Sequence, residues 1–171
     1  MRRRRLGFNR GMAGHYRICV VCSGNICRSA MAEVVLRDAF EREGMGQSVQ
    51  VDSVGTGSWH VGDGADARAL ATLHAAGYDG SAHRARHLDP VWLGERDLVL
   101  CADDGHLRTV RRLGRGVGTP VHLLREFDPE AGANLDLADP YYGSSEDFES
   151  CLAQIERSVP GIVTHVREQL T

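Results

Sequence analysis

Residues 22–29 read Cys22-Ser23-Gly24-Asn25-Ile26-Cys27-Arg28-Ser29, and their flanks leave that octet few ways to fold. Ahead of it runs the apolar stretch Ile18, Cys19, Val20, Val21. Behind it Met31, Ala32, Val34, Val35, Leu36 and Phe40 recur at helical spacing. The segment therefore reads as strand, tight loop and helix N-terminus. Backbone N–H groups in such a loop, together with the positive end of the helix dipole, converge on one spot and suit an oxyanion. Cys22 opens the loop in that same field, which favours a thiolate over a thiol. Arg28 adds a planar fork of donors able to hold two oxygens of one phosphate. Gly24 and Asn25 are expected to take left-handed backbone at the bend. Ser29 is placed to donate its hydroxyl to the sulfur.

The rest of the chain supplies the frame. Residues 49–54 alternate and stop at Gly55, which predicts a strand. Residues 65–76 put Ala69, Leu70, Leu73 and Ala76 on one face with Gly77 as the C-cap, which predicts a helix. Residues 97–101 form a short apolar run of the buried parallel type, and Val121 to Leu124 a weaker one. Between them residues 103–113 read as a helix, with Asp103 or Asp104 near its start. From residue 144 to 170, Phe148, Leu152, Ile155, Val159, Ile162, Val163 and Val166 keep helical spacing. Ser145 is the expected cap there, and Pro160 is expected to begin or kink the second half. Strands alternating with helices predict an α/β fold: a single three-layer domain whose four-stranded parallel sheet carries helices on both faces. Ligands in such folds bind at the carboxyl ends of the strands.

Size and composition set bounds. A chain of 171 residues holds one such domain with a proper core. No apolar stretch reaches the roughly 18 residues of a membrane helix, so no membrane span is expected. Five of the twenty basic residues fall within the first ten positions, leaving fifteen to set against twenty-three Asp and Glu. An acidic body speaks against nucleic acid as a partner. Every basic residue is arginine, which excludes lysine Schiff-base chemistry and a lysine-bearing phosphate loop. Of the five cysteines (Cys19, Cys22, Cys27, Cys101 and Cys151), Cys19 and Cys22 have Cys-x2-Cys spacing but straddle a predicted strand end with side chains facing opposite ways, and no second pair follows, so no metal is expected. A nucleophilic thiol needs a reducing compartment, and the cytoplasm is the expected location. Residues 1–14 carry the charged start of a signal peptide without its apolar middle. They are read as a basic, disordered extension, with Met12 as an alternative initiator, ahead of a domain at 15–171.

The complete run from Cys22 to Ser29, after a strand near the N-terminus, resembles the low-molecular-weight protein tyrosine phosphatases. That family's signature is a Cys-x5-Arg-Ser loop at the end of the first strand. Asp139-Pro140-Tyr141-Tyr142-Gly143 looks like the family's general-acid loop. Shorter matches at residues 55–59, 83–86 and 100–103 follow in family order, so the resemblance spans roughly residues 15–168. It implies Cys22 as a nucleophile forming a cysteinyl-phosphate, and Arg28 as the phosphate clamp. Asp139 would then be the proton donor to the leaving group and later the base for water. Ser23, Gly24, Asn25, Ile26, Cys27 and Ser29 would complete the substrate loop. Trp59, Tyr141 and Tyr142 would wall a cleft for an aromatic phosphoester. His83 would support Asn25. Cys27 would form a reversible disulfide with Cys22, or serve as a small core residue. The implied partners are tyrosine-phosphorylated proteins, and no cofactor is implied.

Several details limit the resemblance. Ala30 stands where the family usually has proline; it is read as opening the helix, where proline is dispensable. His60, His74 and His106 are read as surface residues. Protein-arginine phosphatases of the same fold are an alternative, but they carry threonine where this chain has Ile26. Thioredoxin-coupled arsenate reductases need a closely spaced second cysteine pair that is missing here. A phosphoprotein-binding module without turnover is the alternative from another class.

Overall fold

Strand β1 (Tyr16–Cys22) starts the described part of the chain, and its last five residues are all buried. The computed structural model describes residues 15–171, so the reading of the basic extension at 1–14 lies outside the described residues. Helix α1 (Arg28–Arg42) follows the Cys22 loop, then β2 (Val49–Gly55), α2 (Ala67–Ala75) and the single turn α3 (Pro90–Leu93). Strand β3 (Leu98–Cys101), α4 (Asp104–Leu113), β4 (Val121–Leu123), a 3-10 turn (Leu124–Phe127) and α5 (Ser145–Leu170) complete the order.

The four strands pair in parallel in the order β2-β1-β3-β4. Alternation along β1 explains the two cores. Ile18, Val20 and Cys22 face α1, α2 and α5, where Met31, Leu36, Phe40, Leu73, Phe148 and Ile155 are fully buried. Cys19 and Val21 point the other way, onto Leu93, Leu107 and Val110 of α3 and α4. Each such large apolar side chain contributes roughly 1.5–3 kcal/mol on burial. Helices thus cover both faces of a four-stranded parallel sheet, as the sequence predicts.

The chain leaves β1 to one side for β2 and later returns to the other side for β3. The carboxyl ends of β1 and β3 therefore form the switch point at which open α/β sheets hold ligands. The loop after β1 carries Cys22 to Arg28, and the residue capping the helix after β3 is Asp103.

Four local expectations need correction. Helix α5 is capped by Ser144, which exchanges hydrogen bonds with Asp147, one residue earlier than expected. It also runs unbroken through Pro160. The proline faces solvent while Ile155, Ile162, Val163 and Val166 bury one continuous face, so packing outweighs the lost amide. Ala30 is the third residue of α1 rather than its first, because the helix begins at Arg28. Only Asn25 takes left-handed backbone, at φ 59°; Gly24 does not. Gly24 is there for space, since a Cβ at that position would stand 3.0 Å from the His60 ring.

Candidate active site

Asn25 organises the loop. It is fully buried, and its side-chain amide donates to Ser29 Oγ at 2.7 Å and Ser53 Oγ at 2.8 Å. Its Oδ1 accepts from the Arg86 amide at 2.9 Å. On the main chain, His83 Nε2 donates to the Asn25 carbonyl at 2.7 Å, while His83 Nδ1 lies 3.3 Å from Glu33 Oε2. These contacts from β2, α1 and the 83–86 segment offset the unfavourable backbone angle. They also aim the next group. With a lone pair of Ser29 Oγ taken by Asn25, its hydrogen is available to Cys22 Sγ, 2.9 Å away. A hydroxyl donor to sulfur stabilises a thiolate.

Around that sulfur the loop presents donors. Among the described residues, the backbone amides of Ser23 to Arg28 donate to no protein acceptor. They form a nest at the N-terminus of the 15-residue helix α1. Gly55 lets this loop close down on β2, because a Cβ there would stand 2.6 Å from the Ser23 carbonyl oxygen.

Arg28 is 3% exposed and already oriented. Its Nη1 donates to Asp103 Oδ2 at 2.8 Å and to the Leu137 carbonyl at 3.0 Å. Its Nη2 lies 3.5 Å from both Ser23 Oγ and Asp139 Oδ2. Burial works against the charged guanidinium, but the hydrogen bond to Asp103 and the negative groups at Cys22 and Asp139 together raise its pKa further. For Asp103, burial pushes the carboxyl up, and Arg28 with the neighbouring His106 brings it below its ordinary value. Arg28 is thus a fixed cation beside the sulfur.

A cleft of about 410 Å³ opens over this floor. Cys22, Ser23, Gly24, Ile26, Cys27 and Arg28 line its base; Trp59, His60, Asp139, Tyr141 and Tyr142 line its walls. Cys22 is 2% exposed, whereas Trp59 and Tyr142 are 75% and 93% exposed, so the aromatics stand at the rim and the sulfur lies deep. Trp59 folds over Gly57, where a Cβ would collide with the indole ring. The Asp139 loop is held by Arg68 of α2. That guanidinium lies over the Tyr141 ring at 5.5 Å and the Phe148 ring at 4.7 Å, and donates to the Gly143 carbonyl at 3.4 Å. Asp139 Oδ1 accepts the Tyr141 amide at 3.1 Å, which leaves Oδ2 toward Arg28 and the cleft.

A buried thiol, an amide nest, a fixed guanidinium and a carboxyl thus meet across one aromatic cleft. The family described as low molecular weight phosphotyrosine protein phosphatase matches residues 17–171. The chain belongs to this family. A low molecular weight protein-tyrosine-phosphatase of Streptomyces coelicolor is 49% identical to it, over 91% of this chain and 96% of that protein. The crystal structure of a low molecular weight phosphotyrosine phosphatase from Vibrio cholerae O395 superposes with a TM-score of 0.82. It is 27% identical and covers 90% of this chain and 98% of its own. Wzb of Vibrio vulnificus, crystallised with benzylphosphonate, has a TM-score of 0.76 at 26% identity, covering 89% of this chain and 99% of its own.

All the residues singled out in the low molecular weight phosphatase pattern come together, with Asn25, Ser29 and His83 beneath the cleft rather than on its surface. Cys27 is a buried free thiol on the cleft floor. Burial first, then Asp66 and the neighbouring Cys22 and Asp139, push that thiol well above its ordinary pKa. Sequence reasoning missed three residues. His106, expected at the surface, is 4% exposed and bonds to Ser23. Asp103, expected only as a cap, also anchors Arg28. His60 lines the cleft. A signal for Asp103 was at hand in the family match at residues 100–103, whereas His106 had none, because only the pairing of β3 beside β1 brings it to the loop.

Proposed function

We propose that the chain is a protein-tyrosine phosphatase that hydrolyses phosphotyrosine through a cysteinyl-phosphate. The observation that carries the reading is the convergence of Cys22 Sγ, the unoccupied donors of Ser23 to Arg28 and the Asp139 carboxyl on one aromatic-walled cleft. The Cys22 sulfur attacks phosphorus in line, the bond from phosphorus to the tyrosyl oxygen breaks, and Asp139 delivers its proton to that oxygen. Arg28 and the loop amides hold the three equatorial oxygens as charge spreads over them. Asp139, now a carboxylate, takes a proton from the water that attacks the phosphocysteine, releasing phosphate and returning the Cys22 thiolate. Ser29 stabilises that thiolate as the leaving group.

The rim supports an aryl ester over a short alkyl one, because phosphorus must reach a buried sulfur past Trp59 and Tyr142. Ile26 contributes an apolar side chain to the floor, which supports phosphotyrosine over phosphoarginine. The substrates in this reading are tyrosine-phosphorylated proteins. The working compartment is the reducing cytoplasm, where Cys22 stays a thiol. Among the described residues, no helix is long and apolar enough to cross a membrane.

Replacing the nucleophile tests the assignment. Cys22→Ser is expected to remove turnover of phosphotyrosine peptides, by at least about 10⁴-fold, while inorganic phosphate still binds within a few-fold of the parent. Turnover near that of the parent would refute Cys22 as the nucleophile.

A further inference from the structure

His106 is a buried imidazole that the steps above do not use; its Nδ1 lies 3.1 Å from Asp103 Oδ1 with no hydrogen bond between them, and the hydrogen bond that Nδ1 does make selects the tautomer. It sits in the first turn of α4, where its Nδ1 accepts the backbone N–H of Asp103 at 3.2 Å and its own amide donates to Asp103 Oδ1 at 3.2 Å. An Nδ1 that accepts an N–H carries no proton of its own, so in the neutral ring the proton is on Nε2. Burial lowers the ring's pKa below its ordinary value, with Arg28 acting the same way and Asp103 opposing. The Nε2–H group meets Ser23 Oγ at 2.9 Å.

Ser23 Oγ therefore receives hydrogen bonds from two sides, from His106 Nε2 and from Arg28 Nη2 at 3.5 Å. A hydroxyl has two lone pairs and one hydrogen. With both lone pairs engaged, the remaining hydrogen must find an acceptor elsewhere, and Ser23 lines the cleft floor directly after Cys22. The oxygen of a phosphate held by Arg28 is the acceptor that geometry provides.

We propose that the Ser23 hydroxyl is a further donor to the transferring phosphoryl group, and that His106 is the positioning residue that turns its hydrogen into the cleft. The inference rests on the phosphatase reading and adds a side-chain donor to the amide nest. It gives α4, from the far side of the sheet, a part in the reaction. Donation by Ser23 strengthens as charge gathers on the equatorial oxygens, and His106 Nε2–H polarises the hydroxyl in the same direction.

The test is a double-mutant cycle on Ser23→Ala and His106→Asn, since an asparagine oxygen can still accept the Asp103 amide but its side chain stops short of Ser23. Both kcat/KM for an aryl phosphate and competitive inhibition by inorganic phosphate are measured. Each single variant is expected to lose roughly tenfold in both readouts. The double variant should be no worse than Ser23→Ala alone, because His106 acts through Ser23. Ser23→Thr, which restores a hydroxyl, should recover the larger part of the loss. Parent-like behaviour of Ser23→Ala, or losses that multiply in the double variant, would overturn the proposal. Ser23→Ala leaves the α4 cap untouched, so its result holds however His106→Asn folds. A parent protein that binds phosphate but turns nothing over would refute the phosphatase reading alone, and phosphate inhibition or binding would still decide the role of Ser23.

Discussion

In the proposed reaction Asp139 serves first as an acid and then as a base, and its surroundings suit both. One carboxylate oxygen is occupied by the Tyr141 amide, and the other lies 3.5 Å from Arg28 at the mouth of the cleft. Its side chain is 42% exposed, so protons exchange readily with solvent once product has left. If the proton goes to the tyrosyl oxygen, Asp139→Asn should lower kcat/KM most for esters of weakly acidic phenols. The loss there is expected to be about 10²-fold or more. An ester with a strongly acidic phenol as leaving group should lose far less. Equal losses across a series of aryl phosphates would remove the acid role. Residue identity alone carried much of this site: Cys22, Arg28 and Ser29 lie within one short run, so their roles follow from local chemistry. Asp103 and His106 were not legible in that way. Their partners, Arg28 and Ser23, lie about eighty residues earlier, and only the pairing of β3 beside β1 brings them together.

Among the strands and helices, the site depends most on how closely β2 approaches the loop. Gly55 ends β2, pairs with Cys22, and exchanges backbone hydrogen bonds with Arg86 and Leu88. A methyl group there would stand 2.6 Å from a backbone oxygen of Ser23, which cannot rotate away. Gly55→Ala is therefore expected to cost about 1–3 kcal/mol of stability, as overpacking does. It should also displace the amide nest, lowering kcat/KM together with the urea midpoint. An unchanged midpoint with unchanged activity would rule out the close approach. The sequence placed β1 and β3 closely from their apolar runs, β2 and α5 from their periodicity, and α4 from the aspartates at its start. Of its two expectations for Pro160, that it begin a second helix does not hold, because an apolar face on both sides of the proline keeps α5 continuous against the core. It assigned left-handed backbone to Gly24 as well as Asn25, since glycine permits either that geometry or close packing, and only the neighbouring His60 ring distinguishes them.

The protein as a whole assembles its reactive groups at one place because of sheet order. With β1 and β3 adjacent at the centre, the loop after the first and the helix after the second meet at the switch point. The long segment ahead of α5 then carries Asp139 across the top, where Arg68 of α2 holds it. The order was legible as a class, from strands alternating with helices, but pairing and register were not, because parallel partners lie far apart in sequence. If this arrangement acts on aryl phosphate esters, substrate choice should reveal it. The decisive experiment is turnover by the purified full chain, in buffer with a metal chelator, of phosphotyrosine, phosphoserine and phosphoarginine peptides compared side by side. Phosphotyrosine is expected to exceed the other two in kcat/KM by about a hundredfold or more, since a misplaced phosphorus alone costs that much. Comparable rates for all three, a preference for phosphoarginine, or no turnover of any peptide would overturn the assignment of this cleft to phosphotyrosine.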